Sequence, residues 1–185
     1  SKAARLLLAL VITLLFVGFE VAGGLFANSL ALLTDAAHNL TDVFALGLSW
    51  YALRLAERPA HSGKTFGYHR AGILAAFVNS ATLGVIALGI FYEAYRRFLE
   101  PPQVNGGVLT AMAAVAFLVN AGTAWLVGHN RSDLNMRSAF VHLAGDAAST
   151  LGAVLAGIII VFTVLHWLDP LVSVLMGALI LWNAW

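Results

Sequence analysis

Two short segments of this chain place a histidine and an aspartate four residues apart: His38 with Asp42, and His142 with Asp146. On a helix, residues at i and i+4 project from one face, so each pair offers an imidazole and a carboxylate to a single metal ion. Two ligands do not close a site; two such pairs do. Both pairs lie inside apolar runs, and between Glu20 and Arg54 the only charged residues are Asp35 and Asp42. Ionisable side chains at membrane depth cost roughly 2.5–3.5 kcal/mol each on insertion scales, so they are rarely idle. At about 100° per residue, Asp35, His38, Asn39, Asp42 and Ser49 fall on one stripe of a helix.

The elements that must carry these pairs follow from composition. With 185 residues, 61% of them hydrophobic and 10% charged, the chain is too apolar for a soluble domain. A mean hydropathy of +0.87 points the same way. Apolar stretches long enough to cross roughly 30 Å of hydrocarbon recur along the whole length. They predict an all-α membrane protein of six transmembrane helices in a compact bundle, near residues 6–26, 29–56, 70–98, 106–128, 132–165 and 169–185. Ser132 is a candidate N-cap for the fifth helix, and Asp169-Pro170 a common opening for the sixth. The first apolar run lacks a small-residue cleavage pattern, so it reads as a span. A net charge of +1, with basic residues at span ends, excludes nucleic acid as a partner. The absence of cysteine excludes disulfides and thiolate metal sites.

Basic residues set the orientation. With the N-terminus in the cytoplasm, Lys2, Arg5, Arg54, Arg58, Lys64, Arg70, Arg131 and Arg137 lie inside, and only Arg96 and Arg97 outside. Both termini are then cytoplasmic. The second helix descends and the fifth ascends, which puts His38 about 14 Å below the outer start of one and His142 about 15 Å above the inner start of the other. Both pairs reach the middle of the membrane. The motif face of the fifth helix continues through Gly145, Ser149, Gly152, Ala153 and Ala156, small residues that would let a neighbouring backbone come close.

The residues from Asn28 to Asp42, together with Thr65-Phe66-Gly67-Tyr68-His69-Arg70, Tyr92-Glu93-Ala94-Tyr95-Arg96-Arg97, Pro101-Pro102, Asp133-Leu134-Asn135-Met136-Arg137 and the second His-x-x-x-Asp, form one pattern. It resembles the membrane domain of the cation diffusion facilitator family, in its zinc-transporting branch. The resemblance implies a homodimeric antiporter, in a bacterial cytoplasmic (inner) membrane, that exports Zn²⁺ in exchange for protons. It carries the transport site onto His38, Asp42, His142 and Asp146. The family usually continues after the sixth helix into a cytoplasmic metal-sensing, dimer-forming domain, whereas this chain stops at Trp185. It also departs from many relatives in having a single histidine, His129, between Gly128 and Met136, and in having Gly72 where they have an acid.

Two imidazoles and two carboxylates make a tetrahedral set suited to Zn²⁺, with Cd²⁺ and Co²⁺ as further candidates. All four bind protons in competition with metal, and histidine titrates near neutrality. The lesser candidates have two readings each. Asp35 would orient His38 or guide ions, or be a helix-start carboxylate favoured by the dipole. Glu20 would gate or carry protons, or hold a structural hydrogen bond. His61 and His69 would form a weak second metal site, as the resemblance implies for some relatives, or belong to a solvated basic loop. Asn79 and Asn120 are expected to bridge helices, while His129 and His166 sit at span ends. An intramembrane metalloenzyme is disfavoured because no span carries His-Glu-x-x-His and four protein ligands leave no position for water. A passive channel is disfavoured because four ligands would hold zinc too tightly.

Overall fold

The computed structural model describes residues 2–56, 70–128 and 134–184. They form six α-helices: α1 (Lys2–Ala27), α2 (Leu30–Ala56), α3 (Arg70–Leu99), α4 (Gly106–Gly128), α5 (Leu134–Phe162) and α6 (Leu168–Ala184). The all-helical fold expected from the sequence is therefore present. Among the described residues, three segments are long and apolar enough to cross a membrane: Ile73–Leu99, Gly106–Trp125 and Phe140–Phe162. Val11–Ala27 and Leu168–Trp182 are shorter apolar helices. The outside of the bundle is greasy, with Leu15, Phe26, Leu88 and Phe162 each at least 67% exposed. A face of this kind suits lipid, not water.

Inside, two packing relationships position the two halves of the motif. α5 packs most extensively on α4, and α2 is held by α1, α3 and α6. The α4–α5 crossing is close because it lacks side chains. A Cβ on Gly157 would lie 2.4 Å from Oγ1 of Thr110 and 2.9 Å from its backbone nitrogen, and one on Gly106 would lie 2.8 Å from the carbonyl oxygen of Gly157. Backbones can approach this closely only at glycine. The small residues of the motif face behave differently. A Cβ on Gly145 would meet nothing within 4 Å, and one on Gly152 only Val172 at 4.0 Å. The tight approach is made further along α5, at Gly157, and Gly145 leaves space.

One end of the bundle is tied by polar contacts. Asn28 takes a left-handed conformation (φ 54°), which asparagine tolerates, and it turns the chain from α1 into α2. Ser29 caps α2 by accepting a hydrogen bond from Leu32 N. The carboxylate of Asp169, in the first turn of α6, accepts from the backbone nitrogens of Leu30 (2.7 Å) and Ala31 (3.3 Å) and from the Ser29 hydroxyl. Arg97 on α3 donates to the carbonyl (2.7 Å) and side-chain oxygen (3.1 Å) of Asn28 and stands 3.8 Å from Asp169. One turn along, Thr34 and Ser173 share a hydrogen bond between α2 and α6. Asp169, Ser29, Thr34 and Ser173 are all fully buried. Beside them, Asn105 N donates to Ala27 O, and Val104 N donates to Nδ1 of His166. His166 thus joins the α3–α4 connection to the start of α6.

Of the asparagines expected to bridge helices, Oδ1 of Asn79 and Nδ2 of Asn120 are buried and meet no partner among the described residues. Ser132, His129 and the loop holding His61 and His69 lie outside the described residues, as does the Ser49 side chain.

Candidate metal centre

The two His-x-x-x-Asp pairs meet. One ligand-capable atom from each of His38, Asp42, His142 and Asp146 lies within 4.8 Å of all the others. Helix geometry alone supplies the contacts within a pair: His38 Nε2 is 3.4 Å from Asp42 Oδ2, and His142 Nε2 is 3.3 Å from Asp146 Oδ2. Packing of α2 against α5 supplies the cross-contacts, His38 Nε2 to Asp146 Oδ1 at 3.2 Å and His142 Nε2 to Asp42 Oδ2 at 3.3 Å. The imidazole centroids are 5.7 Å apart and tilted by 54°. These four edges have a simple meaning. A tetrahedron whose corners stand 2.0–2.2 Å from a central Zn²⁺ has edges of about 3.3–3.6 Å. The four nitrogen–oxygen distances lie within 0.1 Å of the short end of that range, with Asp146 turning Oδ1 to His38 and Oδ2 to His142.

The cluster is unevenly covered. The side chains of His38 and Asp146 are 11% and 13% exposed, those of His142 and Asp42 41% and 40%. Asp42 lies one turn closer than His38 to the Ala56 end of α2, and His142 one turn closer than Asp146 to the Leu134 start of α5. The open side therefore faces the end of the bundle away from the Asp169 tie. Behind His38 and Asp146 is a cavity of about 150 Å³, lined by Asp35, Gly145, Ser149 and Met176 among others. The space left by Gly145 belongs to it. The backbone next to the cluster is firm, since the hydroxyl of Thr41 donates to the carbonyl of His38 and that of Thr150 to the carbonyl of Asp146.

Asp35 and Glu20 form a second arrangement. Both are buried, at 5% and 1% exposure. No hydrogen bond joins Asp35 to His38, whose Nδ1 has no partner among the described residues. Oδ2 of Asp35 and Oε1 of Glu20 likewise meet no hydrogen-bond partner among the described residues. The other side of Glu20 is held by Asn39, which donates to Oε2 at 3.0 Å. Asn39 lay on the polar stripe of α2 from the outset, but nothing in the pattern marked its partner on α1.

The comparisons with known proteins follow the same line. The profile of the family described as cation efflux transmembrane domain matches residues 6–185. The chain belongs to the cation efflux family. This is a family of membrane transporters, not of enzymes, and the chain is an integral membrane domain. It is 43% identical over 187 residues to the zinc transporter ZitB of Pectobacterium atrosepticum, covering 100% of this chain and 58% of that protein. It is 41% identical to the zinc transporter ZitB of Escherichia coli, covering 100% and 60%. To the cadmium, cobalt and zinc/H(+)-K(+) antiporter of Bacillus subtilis it is 42% identical over 165 residues, covering 88% and 53%. The cation efflux chain thus spans somewhat under two thirds of the length of these relatives.

Proposed function

We propose that this chain is the translocation unit of a secondary transporter that exports Zn²⁺, and by the names of its relatives Cd²⁺ and Co²⁺, from the cytoplasm in exchange for protons. The observation that carries the reading is the set of His–Asp edges of 3.2–3.4 Å between α2 and α5. His38 and His142 present neutral nitrogens, and Asp42 and Asp146 balance the charge of the ion in a medium of low dielectric. Protons compete for the same atoms, so loading metal releases protons and unloading takes them back. All six helices span the bilayer in this reading, with both termini cytoplasmic and the inner membrane of a bacterium as the setting. The more exposed Asp42 and His142 then face the cytoplasm, and the Asp169 tie closes the opposite side. Alternating access moves α5 relative to α2, opening one side of the fixed site as the other closes. A second copy of the chain is the proposed protein partner.

The test is uptake of Zn²⁺ into sealed proteoliposomes, with and without an imposed pH gradient, by the wild type and Asp42→Ala. Uptake stimulated by the gradient and lost in the variant is expected. Flux that ignores the gradient would replace the antiporter by a passive pathway.

A further inference from the structure

The zinc site makes no use of Glu20 or Asp35. Both side chains are more than nine-tenths buried, and Oε1 of Glu20 and Oδ2 of Asp35 meet no N–H or O–H of any other described residue. Asn39 donates to Glu20, and Asp35 lies one turn before Asn39 on α2, so both carboxyl groups stand at the seam of α1 and α2 with oxygens that lack a hydrogen to accept. The surroundings offer little else to neutralise them. α4 carries no titratable residue, and the only one in α6 is Asp169 at the tied end. The described acids and bases of α3 that show side chains, Glu93, Arg96 and Arg97, lie near that end too. α5 contributes Asp146, His142 and, exposed in its first turn, Arg137; α2 contributes His38 and Asp42 among its described side chains. A buried pair of carboxyl groups with unpaired oxygens calls for a cation beside it. Neither belongs to a group of three or more side chains compact enough to hold a metal, the four-residue centre being the one such group among the described residues. A proton is the smallest cation that meets the need.

We propose that Glu20 and Asp35 form a proton-binding site, separate from the four metal-binding side chains, that gives up its proton as zinc enters and regains one as zinc leaves. The proposal rests on the zinc-for-proton reading above. In the loaded state one O–H bond holds the proton on one carboxyl oxygen, and the other carboxylate accepts its hydrogen bond. Unloading breaks that O–H bond, leaves the electron pair on oxygen and passes the proton to water, with no change of oxidation state. Asp35 lines the cavity that also reaches His38 and Asp146, which supplies space for water beside the pair. A divalent ion arriving among those residues favours the ionised pair by simple Coulomb attraction. Asn39, held between the metal stripe and Glu20, keeps the pair in register with α2.

The experiment measures protons released per zinc bound, in weakly buffered detergent solution, for the full chain and for Glu20→Gln, Asp35→Asn and the double variant. Infrared difference spectra with and without zinc accompany it. The wild type should lose a protonated carboxylic acid band on zinc addition, and both single variants should lack that band. Each single variant should release about one proton fewer per zinc, and the double variant no fewer than the singles, since one proton is shared. Undiminished release in the double variant, or a wild-type spectrum without the band, overturns the proposal. The wild-type spectrum decides even if the variants fail to fold. Asp42→Ala, measured alongside, tests the zinc reading on its own: if it binds zinc as the wild type does, that reading fails, whereas its loss of binding leaves any negative result with Glu20→Gln to count against the proton site alone.

Discussion

His38 and Asp146 stand on different helices, yet the 3.2 Å between Nε2 of His38 and Oδ1 of Asp146 is shorter than the 3.4 Å from the same nitrogen to Asp42, one turn along α2. Each histidine is as close to the partner helix's carboxylate as to its own. The cluster therefore depends on how the rest of the bundle holds α2 beside α5, and a change that separates the two helices opens all of it at once.

The first expectation concerns a ligand. Asp42→Ala removes a carboxylate and its charge, and leaves His142 without its cross-helix partner. Loss of partners one shell further out commonly costs 10–100-fold in metal affinity. Zinc affinity should fall by at least about 100-fold, measured by calorimetry in detergent, with Cd²⁺ and Co²⁺ weakened too. A variant that still binds all three normally would remove Asp42 from the site.

The second concerns pH. Zinc requires both imidazoles neutral, and protons compete for them, so binding should strengthen as pH rises through the ordinary histidine range. The sign is fixed by this competition: acid favours the protonated, empty site. Binding that stays flat between about pH 5.5 and 8, with no proton release, would contradict antiport at these residues.

The third concerns the tied end. Asp169 accepts from Leu30, Ala31 and Ser29 while Arg97 lies 3.8 Å away. Asp169→Ala leaves those donors without their acceptor and takes a negative charge from beside Arg97, at a cost of about 2–4 kcal/mol. A clear fall in the thermal midpoint in detergent is expected, with a smaller fall for Asp169→Asn, which keeps one oxygen. Equal midpoints for the wild type and Asp169→Ala would show that the tie adds nothing.

The sequence made some of this legible and not the rest, for physical reasons. The His-x-x-x-Asp pairs could be read because i, i+4 spacing is a local property of a helix, and the two pairs called for each other chemically. All-helical character followed from long apolar runs, since a lipid-facing backbone must satisfy itself. The close α4–α5 crossing could not be placed: Gly145 and Gly157 look alike in the chain, but only Gly157 meets Thr110. The partners of Asp169 and Glu20 were hidden for the same reason. Asp169 read as the opening of its own helix, whereas it also caps α2, 139 residues earlier. Glu20 finds Asn39 only once α1 lies on α2.

The fourth expectation uses that glycine contrast. Gly157→Ala puts a methyl group 2.4 Å from Thr110 Oγ1 and 2.9 Å from backbone, so α4 and α5 must separate. Overpacking of this kind costs typically 1–3 kcal/mol. Because α5 carries His142 and Asp146, zinc affinity should fall together with the thermal midpoint. Gly145→Ala enters open space and should leave the midpoint unchanged. If the two variants behave alike, the α4–α5 crossing is not as close as described.

The last expectation concerns which metal the site prefers. His38→Asp would change two nitrogens and two oxygens into one nitrogen and three oxygens. Imidazole suits Zn²⁺, while carboxylate-rich sets suit harder ions such as Mn²⁺. The new carboxylate would also sit beside Asp146, at a position where the present side chain is only 11% exposed. Three negative charges there are costly without a cation. The empty variant should therefore melt lower than the wild type and be rescued more strongly by added metal, because a ligand that binds only the folded state stabilises it. Zinc transport at neutral pH should weaken, with a relative gain for Mn²⁺ or Cd²⁺, whose larger radii accept looser geometry. Parallel vesicle uptake of Zn²⁺, Cd²⁺ and Mn²⁺ by the wild type and the variant measures the preference directly. An unchanged zinc rate with an unchanged preference would mean that His38 touches no transported ion, and the short edge between it and Asp146 would then have to be a structural hydrogen bond.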